Sequence, residues 1–165
     1  MDDSYKSTWT EKDYEAMNWH DVTVHGLSIM PTEYSYELLL DIDYILEWVH
    51  PRTTAGEFSF MVAPATLAFN EVWDVVTNIE TRVSILEFLS IQDIQRVNPR
   101  NLDNWGIVQW EWIITLLQGT IRFKACGYHQ YLRRKAVITE SQALTLDERG
   151  GLSFGKECLL TVGDS

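Results

Sequence analysis

Residues 107–129 limit the possible folds of this chain more than any other stretch. Residues 107–117 read IVQWEWIITLL, residues 120–129 read TIRFKACGYH, and Gln118-Gly119 lies between them. Both halves repeat with period two, the spacing of strands that bury one face. Gln118-Gly119 has the composition of a two-residue hairpin turn. That turn predicts Leu117 opposite Thr120, Leu116 opposite Ile121 and Ile114 opposite Phe123. It also sets Trp112 opposite Ala125 and Trp110 opposite Gly127. Two indoles over two minimal residues suit a packed inner face. Arg122 and Lys124 fall on the other face, diagonal to Glu111. The implied fold element is antiparallel β-sheet.

The remaining strands are read from the same period. Val22, Val24 and residues 27–29 predict a first strand with a bulge near Gly26, followed by a turn at residues 30–33. In residues 36–49, Tyr36, Leu38, Leu40, Ile42, Tyr44, Leu46 and Trp48 share one face. Glu37, Asp41, Asp43 and Glu47 share the other, which predicts a core face backed by a wet, acidic one. Residues 57–69 resume strand character, and Pro64 within them predicts an edge strand or a bend. Residues 72–81 and 85–97 are further strand candidates, the latter ended by residues 98–101. Thr139 and Gln142 have capping-box spacing and predict a short helix, and residues 152–154 a last short strand. The expected fold class is mainly β, an antiparallel β-sandwich or open barrel of about seven strands with one or two short helices. The expected organisation is a flexible extension over residues 1–17, a single β domain over 18–154 and a tail over 155–165.

A chain of 165 residues suits one domain, and 45% hydrophobic content with seven Trp supplies a core. The formal net charge is −11. Such a surface repels phosphate backbones and anionic lipid, so neither nucleic acid nor a membrane is an expected partner. A basic protein partner is the one the charge favours. The two cysteines, Cys126 and Cys158, make no disulfide framework. The start of the chain has no secretory pattern and no apolar run has the length of a membrane span, so the expected location is cytoplasmic.

Three constellations are candidates for chemistry. His20, Asp21 and His25, with Asp41, Asp43 and His50, are residue types that ligate metals or act as paired carboxylates. Asp41 and Asp43 share a face ~7 Å apart, but the spacing matches no metal motif, and no metal or other cofactor is expected. Arg133 and Arg134, with Lys135, form a basic cluster that suits an anion or, more simply, the acidic face of residues 36–49. Trp105 and Tyr131 lie near strand ends and are pocket or interface candidates, and Trp19 beside His20 is a further binding candidate. Cys126 lacks a base on its own strand face and reads as an inert thiol. There is no Gly-x-Ser-x-Gly, phosphate loop or dinucleotide fingerprint.

Several landmarks carry a resemblance. They are Trp19-His20-Asp21, LLLDIDY at residues 38–44, FSFMVAPATLAF at 58–69, WEW at 110–112, GYHQYLRR at 127–134 and LDERGG at 146–151. Together, over residues 18–154, they resemble a family of small uncharacterised bacterial proteins. Trp19-His20-Asp21 followed by strands is also distantly similar to immunity proteins of bacterial toxin systems. The resemblance implies a stand-alone, mostly β bacterial domain and assigns no catalytic residue. The expected function is therefore a non-enzymatic binding protein, an immunity-type antitoxin being one form of it. The alternatives are a metal-dependent or carboxylate-based hydrolase using His20, His25, Asp41 and Asp43, and a small-ligand carrier with an aromatic pocket.

Overall fold

A computed structural model describes residues 5–53, 55–81, 88–102 and 106–157. Among these, nine strands form one antiparallel sheet: β1 (Thr8–Thr10), β2 (Val22–Pro31), β3 (Tyr36–Val49), β4 (Ser59–Ile79), β5 (Leu89–Asn101), β6 (Val108–Leu116), β7 (Gly119–Ala125), β8 (Gly127–Leu132) and β9 (Val137–Thr139). A 3-10 helix, Glu11–Ala16, follows β1, and a one-turn helix α1, Leu146–Arg149, follows β9. The sheet runs β1-β8-β4-β3-β2-β5-β6-β7, and β7 then pairs back onto β4. Six strands thus form a ring, and the expected mainly β, antiparallel class is the observed one.

The ring closes at one end only. Residues 73–79 of β4 pair with β7, whereas residues 60–70 pair with β9 and β8. β4 changes partners because it bends: the β4–β7 register shifts between Trp73 and Val76, and Glu71 and Asp74 have φ of 52° and 54°. Residues 57–69 and 72–81, separate candidates in sequence, fall largely within this one long strand, Ser59–Ile79. At the open end β8 and the N-terminal segment fill the gap. Residues 5–16, expected as part of a flexible extension, are docked there. Trp9 and Tyr14 pack on the core, and the Tyr14 hydroxyl donates to the Ile94 carbonyl at 3.0 Å.

The interior follows the period-two faces. Leu38, Leu40, Ile42 and Tyr44 of β3 lie opposite Phe69, Leu67, Ala65 and Ala63 of β4, all buried. Trp112, Ile114 and Leu116 face inward with Ile121, Phe123 and Ala125. Edge-on ring contacts link Phe69, Trp112, Phe123 and Tyr128 at 4.7–5.9 Å. Aromatic side chains therefore fill the barrel.

The β6–β7 hairpin keeps its expected faces but not its expected register. Leu116 pairs Gly119, Ile114 pairs Ile121, Trp112 pairs Phe123 and Trp110 pairs Ala125. The turn is Leu117-Gln118, one residue earlier than predicted. The displacement moves every partner by two positions, so inward residues stay inward. Gly119 is needed elsewhere: its φ is 148°, and a Cβ there would lie 1.9 Å from the Asn78 carbonyl oxygen on β4. The glycine serves ring closure, not the turn. Gln118 ties the turn down, donating to the Phe88 carbonyl at 2.8 Å and accepting from the Ser90 N–H at 3.2 Å. Gly127 lies on β8 opposite Asn70, against Glu11 and not Trp110.

Four other expectations are corrected. Pro64 is in an interior strand, where its carbonyl accepts from the Arg133 N–H at 2.9 Å. It falls between the end of β8 (Leu132 opposite Ala65) and the start of β9 (Val137 opposite Val62), so its missing donor faces a gap in the ladder. Residues 98–101 do not end β5, which continues to Asn101 through a register shift with Asn98 at φ 52°. The capped helix is not at residues 139–142. It is α1, where Thr145 and Glu148 form the reciprocal capping box and Gly150 closes it at φ 74°. Residues 152–154 form no strand.

Candidate functional site

The outer face of β3 carries a buried charge cluster. Sequence alternation assigns Asp41 and Asp43 to solvent, yet both are 0% exposed. A strap, residues 140–156, crosses that face and covers it. Its Arg149 is also buried, and its guanidinium reaches both carboxylates. Nη1 and Nη2 donate to Asp41 at 2.8 and 2.6 Å, and Nε donates to Asp43 at 3.0 Å. Arg133, from the end of β8, donates to Asp41 at 2.6 Å and to the Thr66 hydroxyl at 2.9 Å. Backbone N–H groups of Ser153 and Leu144 donate to Asp41 and Asp43 at 3.0 and 2.8 Å. Two guanidiniums thus neutralise two carboxylates, as burial requires. Burial alone would raise the Asp41 carboxyl, but the bonds from Arg149, Ser153 and Arg133 outweigh it and hold it below its ordinary value.

His25 joins the cluster through the β2 bulge. The β2–β3 register shifts between Val24 and Gly26, and the extra residue turns its ring to Asp43, with Nε2 at 2.6 Å from the carboxylate. Gly26 beside it leaves room for the strap: a Cβ there would lie 3.1 Å from the Phe154 ring. The remaining candidates do not converge here. His20 is exposed and pairs with Asp21 at 3.2 Å. Trp19 is a core residue whose indole N–H donates to Gln130 at 2.9 Å. Tyr131 stacks on His129 with centroids 6.0 Å apart. Arg134 donates to the Glu148 carbonyl at 3.4 Å. Trp105 lies outside the described residues. The fold therefore unites His25, Asp41, Asp43 and Arg133, and adds Arg149, which sequence reasoning did not single out.

This cluster clamps residues 140–156 onto β3. The Asp41 and Asp43 oxygens already accept from Arg149, Arg133, His25 and two backbone N–H groups. Among the described residues no three His, Cys, Asp or Glu side chains are grouped to hold a metal ion. Cys126 is equally quiet: burial, then the neighbouring Glu71 carboxylate, push its thiol up to about 11.

Among the described residues, one accessible feature is an open groove of about 520 Å³ at the β2–β3 turn and the β4 bend, lined by Glu33, Tyr34, Glu37, Glu71, Trp73 and Lys156, among others. Each wall has a local cause. The turn is cross-tied, the Thr32 N–H donating to the Ser35 carbonyl at 2.8 Å and the Ser35 N–H to the Thr32 hydroxyl at 3.1 Å. That holds out Glu33 and Tyr34, and the Glu33 carboxylate pushes the Tyr34 phenol up. On the other wall Trp73 stands between Glu71 and Asp74, both left-handed. Such backbone is costly for non-glycine residues and concentrates at functional sites. Trp73 is left 46% exposed and Tyr34 80% exposed. In sequence these aromatics had no signal beyond their residue type, because the bend that exposes Trp73 is tertiary.

No protein-family model, no curated protein and no solved structure matches this chain. Among the described residues no helix is long and apolar enough to cross a membrane.

Proposed function

We propose that this protein works by binding rather than by catalysis, and that the groove at the β4 bend takes a basic segment of a partner protein. The observation that carries the reading is Trp73, held half-exposed by two strained residues over a groove bearing three carboxylates. Indole and phenol faces attract cations, and the effect grows as the cation is desolvated. Glu33, Glu37 and Glu71 supply the opposite charge, and the net charge of −11 steers a basic partner toward the surface. An immunity-type antitoxin facing a basic toxin is one form of this reading, in line with the sequence resemblance. The binding reading is preferred to the hydrolase alternative because the carboxylates the latter needs already hold guanidiniums.

Calorimetric titration of the full chain with acetyl-Gly-Arg-Gly-Arg-Gly amide, against its citrulline counterpart, tests the reading. Binding of the arginine peptide alone is expected, weakened as salt rises from about 0.05 to about 0.5 M. The triple substitution E33Q/E37Q/E71Q is expected to abolish it. Equal binding of both peptides, or binding that survives the triple substitution, would overturn the assignment.

A further inference from the structure

The groove already contains a cation that belongs to the chain itself. Lys156 is one of its lining residues, and its ammonium pairs with the Glu37 carboxylate. The strap brings it there. Arg149 is locked to Asp41 and Asp43, the Ser153 N–H is bonded to Asp41, and the Thr66 hydroxyl donates to the Gly155 carbonyl at 2.6 Å. The next residue is Lys156. The buried clamp therefore sets the position of the last anchored backbone group before the lysine, and the groove receives its side chain.

We propose that Lys156 is an internal stand-in for an arginine of the partner, which displaces it from Glu37 on binding. This deepens the groove reading and rests on it. Three observations support displacement. The pair is accessible, with the Lys156 side chain 42% exposed and that of Glu37 22% exposed. Exposed pairs of this kind are weak, so an incoming cation does not have to break a strong contact. The groove also offers what the lysine uses only in part: two more carboxylates and the Trp73 face. An arginine can bond a carboxylate through two parallel N–H groups while stacking on an indole, which an ammonium cannot do. Because Lys156 is tethered, it competes at a fixed, high effective concentration, and this sets how basic a segment must be before it enters.

Binding of acetyl-Gly-Arg-Gly-Arg-Gly amide to wild type, K156Q, E37Q and K12Q tests this. K12Q changes net charge as K156Q does, but Lys12 sits on the 3-10 helix and does not line the groove. K156Q is expected to bind about 2- to 5-fold tighter than wild type, the range that loss of one weak exposed competitor allows. K12Q is expected to bind as wild type does, and E37Q more weakly. A K156Q protein that binds no tighter, or a K12Q protein that gains as much, would show that Lys156 is no competitor while leaving the groove reading intact. Absence of binding to all four proteins would overturn the groove reading and this inference together. Matching melting curves for K156Q and wild type are expected, and a K156Q melt below that of the parent would assign the pair to stability instead.

Discussion

Arg149 decides the fate of the outer face of β3. With its guanidinium in place, Asp41 and Asp43 are buried and neutralised. Without it, two carboxylates would lie under the strap with Arg133 on Asp41 and the His25 ring on Asp43 as their remaining side-chain partners. Removing one partner of a buried pair costs about 3–5 kcal/mol, far more than an exposed pair is worth. R149A is accordingly expected to lower stability by about that amount, read from urea midpoints. A loss under about 1 kcal/mol would mean that water reaches these carboxylates. Asp41 adds a pH signature. Its carboxyl is held below the ordinary value, so the unfolded chain takes up the proton first as pH falls. The stabilisation is complete above an ordinary carboxylate's pKa of about 3.9 and drains away as pH drops through the lower, folded value. Between about pH 4 and pH 3 wild type should lose stability more steeply than D41N. Parallel slopes would remove Asp41 as the cause.

At the scale of the elements, the hairpin shows what sequence can and cannot say. Its period and inward faces were legible because both depend on local alternation. Its register was not, because Gly119 has a reason to exist that lies on another strand. A Cβ at 1.9 Å from the Asn78 oxygen is impossible without backbone movement, so G119A should prevent β7 from seating against β4. The expected cost is about 1–3 kcal/mol or more, again from urea midpoints. A parent-like midpoint would mean that the ring does not close there. The same limit applied to Asp41 and Asp43. Alternation placed them correctly on the non-core face, but their cover comes from residues more than 100 positions away. Arg133 was legible as a partner of the acidic face, since a basic cluster in an acidic chain has few other local uses. The capping box was legible as a pattern and misplaced by one short segment, since Thr139 and Thr145 offer similar spacing. The β4 bend left no pattern at all. Left-handed Glu71 costs roughly 1–2 kcal/mol, and glycine's extra entropy would return about 0.5–1 of it. E71G is therefore expected to raise stability by about 0.5–1 kcal/mol while weakening binding of the arginine peptide. A variant both less stable and equally competent to bind would mean that the bend serves folding alone.

For the whole molecule the governing quantity is the net charge of −11, spread over a barrel whose strongest ion pairs are internal. Salt acts on these two populations differently. Screening reaches exposed charges and hardly touches buried ones. The Arg149 and Arg133 contacts to Asp41 and Asp43 therefore keep their strength in salt. The pairs that salt weakens are exposed ones such as Lys6–Asp13 and Lys124–Asp74, and pairs of that class are worth little. What salt chiefly removes is the mutual repulsion of unpaired carboxylates, which opposes the compact state. The melting temperature at neutral pH should thus rise as sodium chloride increases from about 0.05 to about 0.3 M, while arginine-peptide binding weakens over the same range. The opposite signs follow from one field: it opposes folding and favours the partner. A melting temperature that falls over this range would mean that surface pairs, and not the buried clamp, carry the electrostatic stability of the fold.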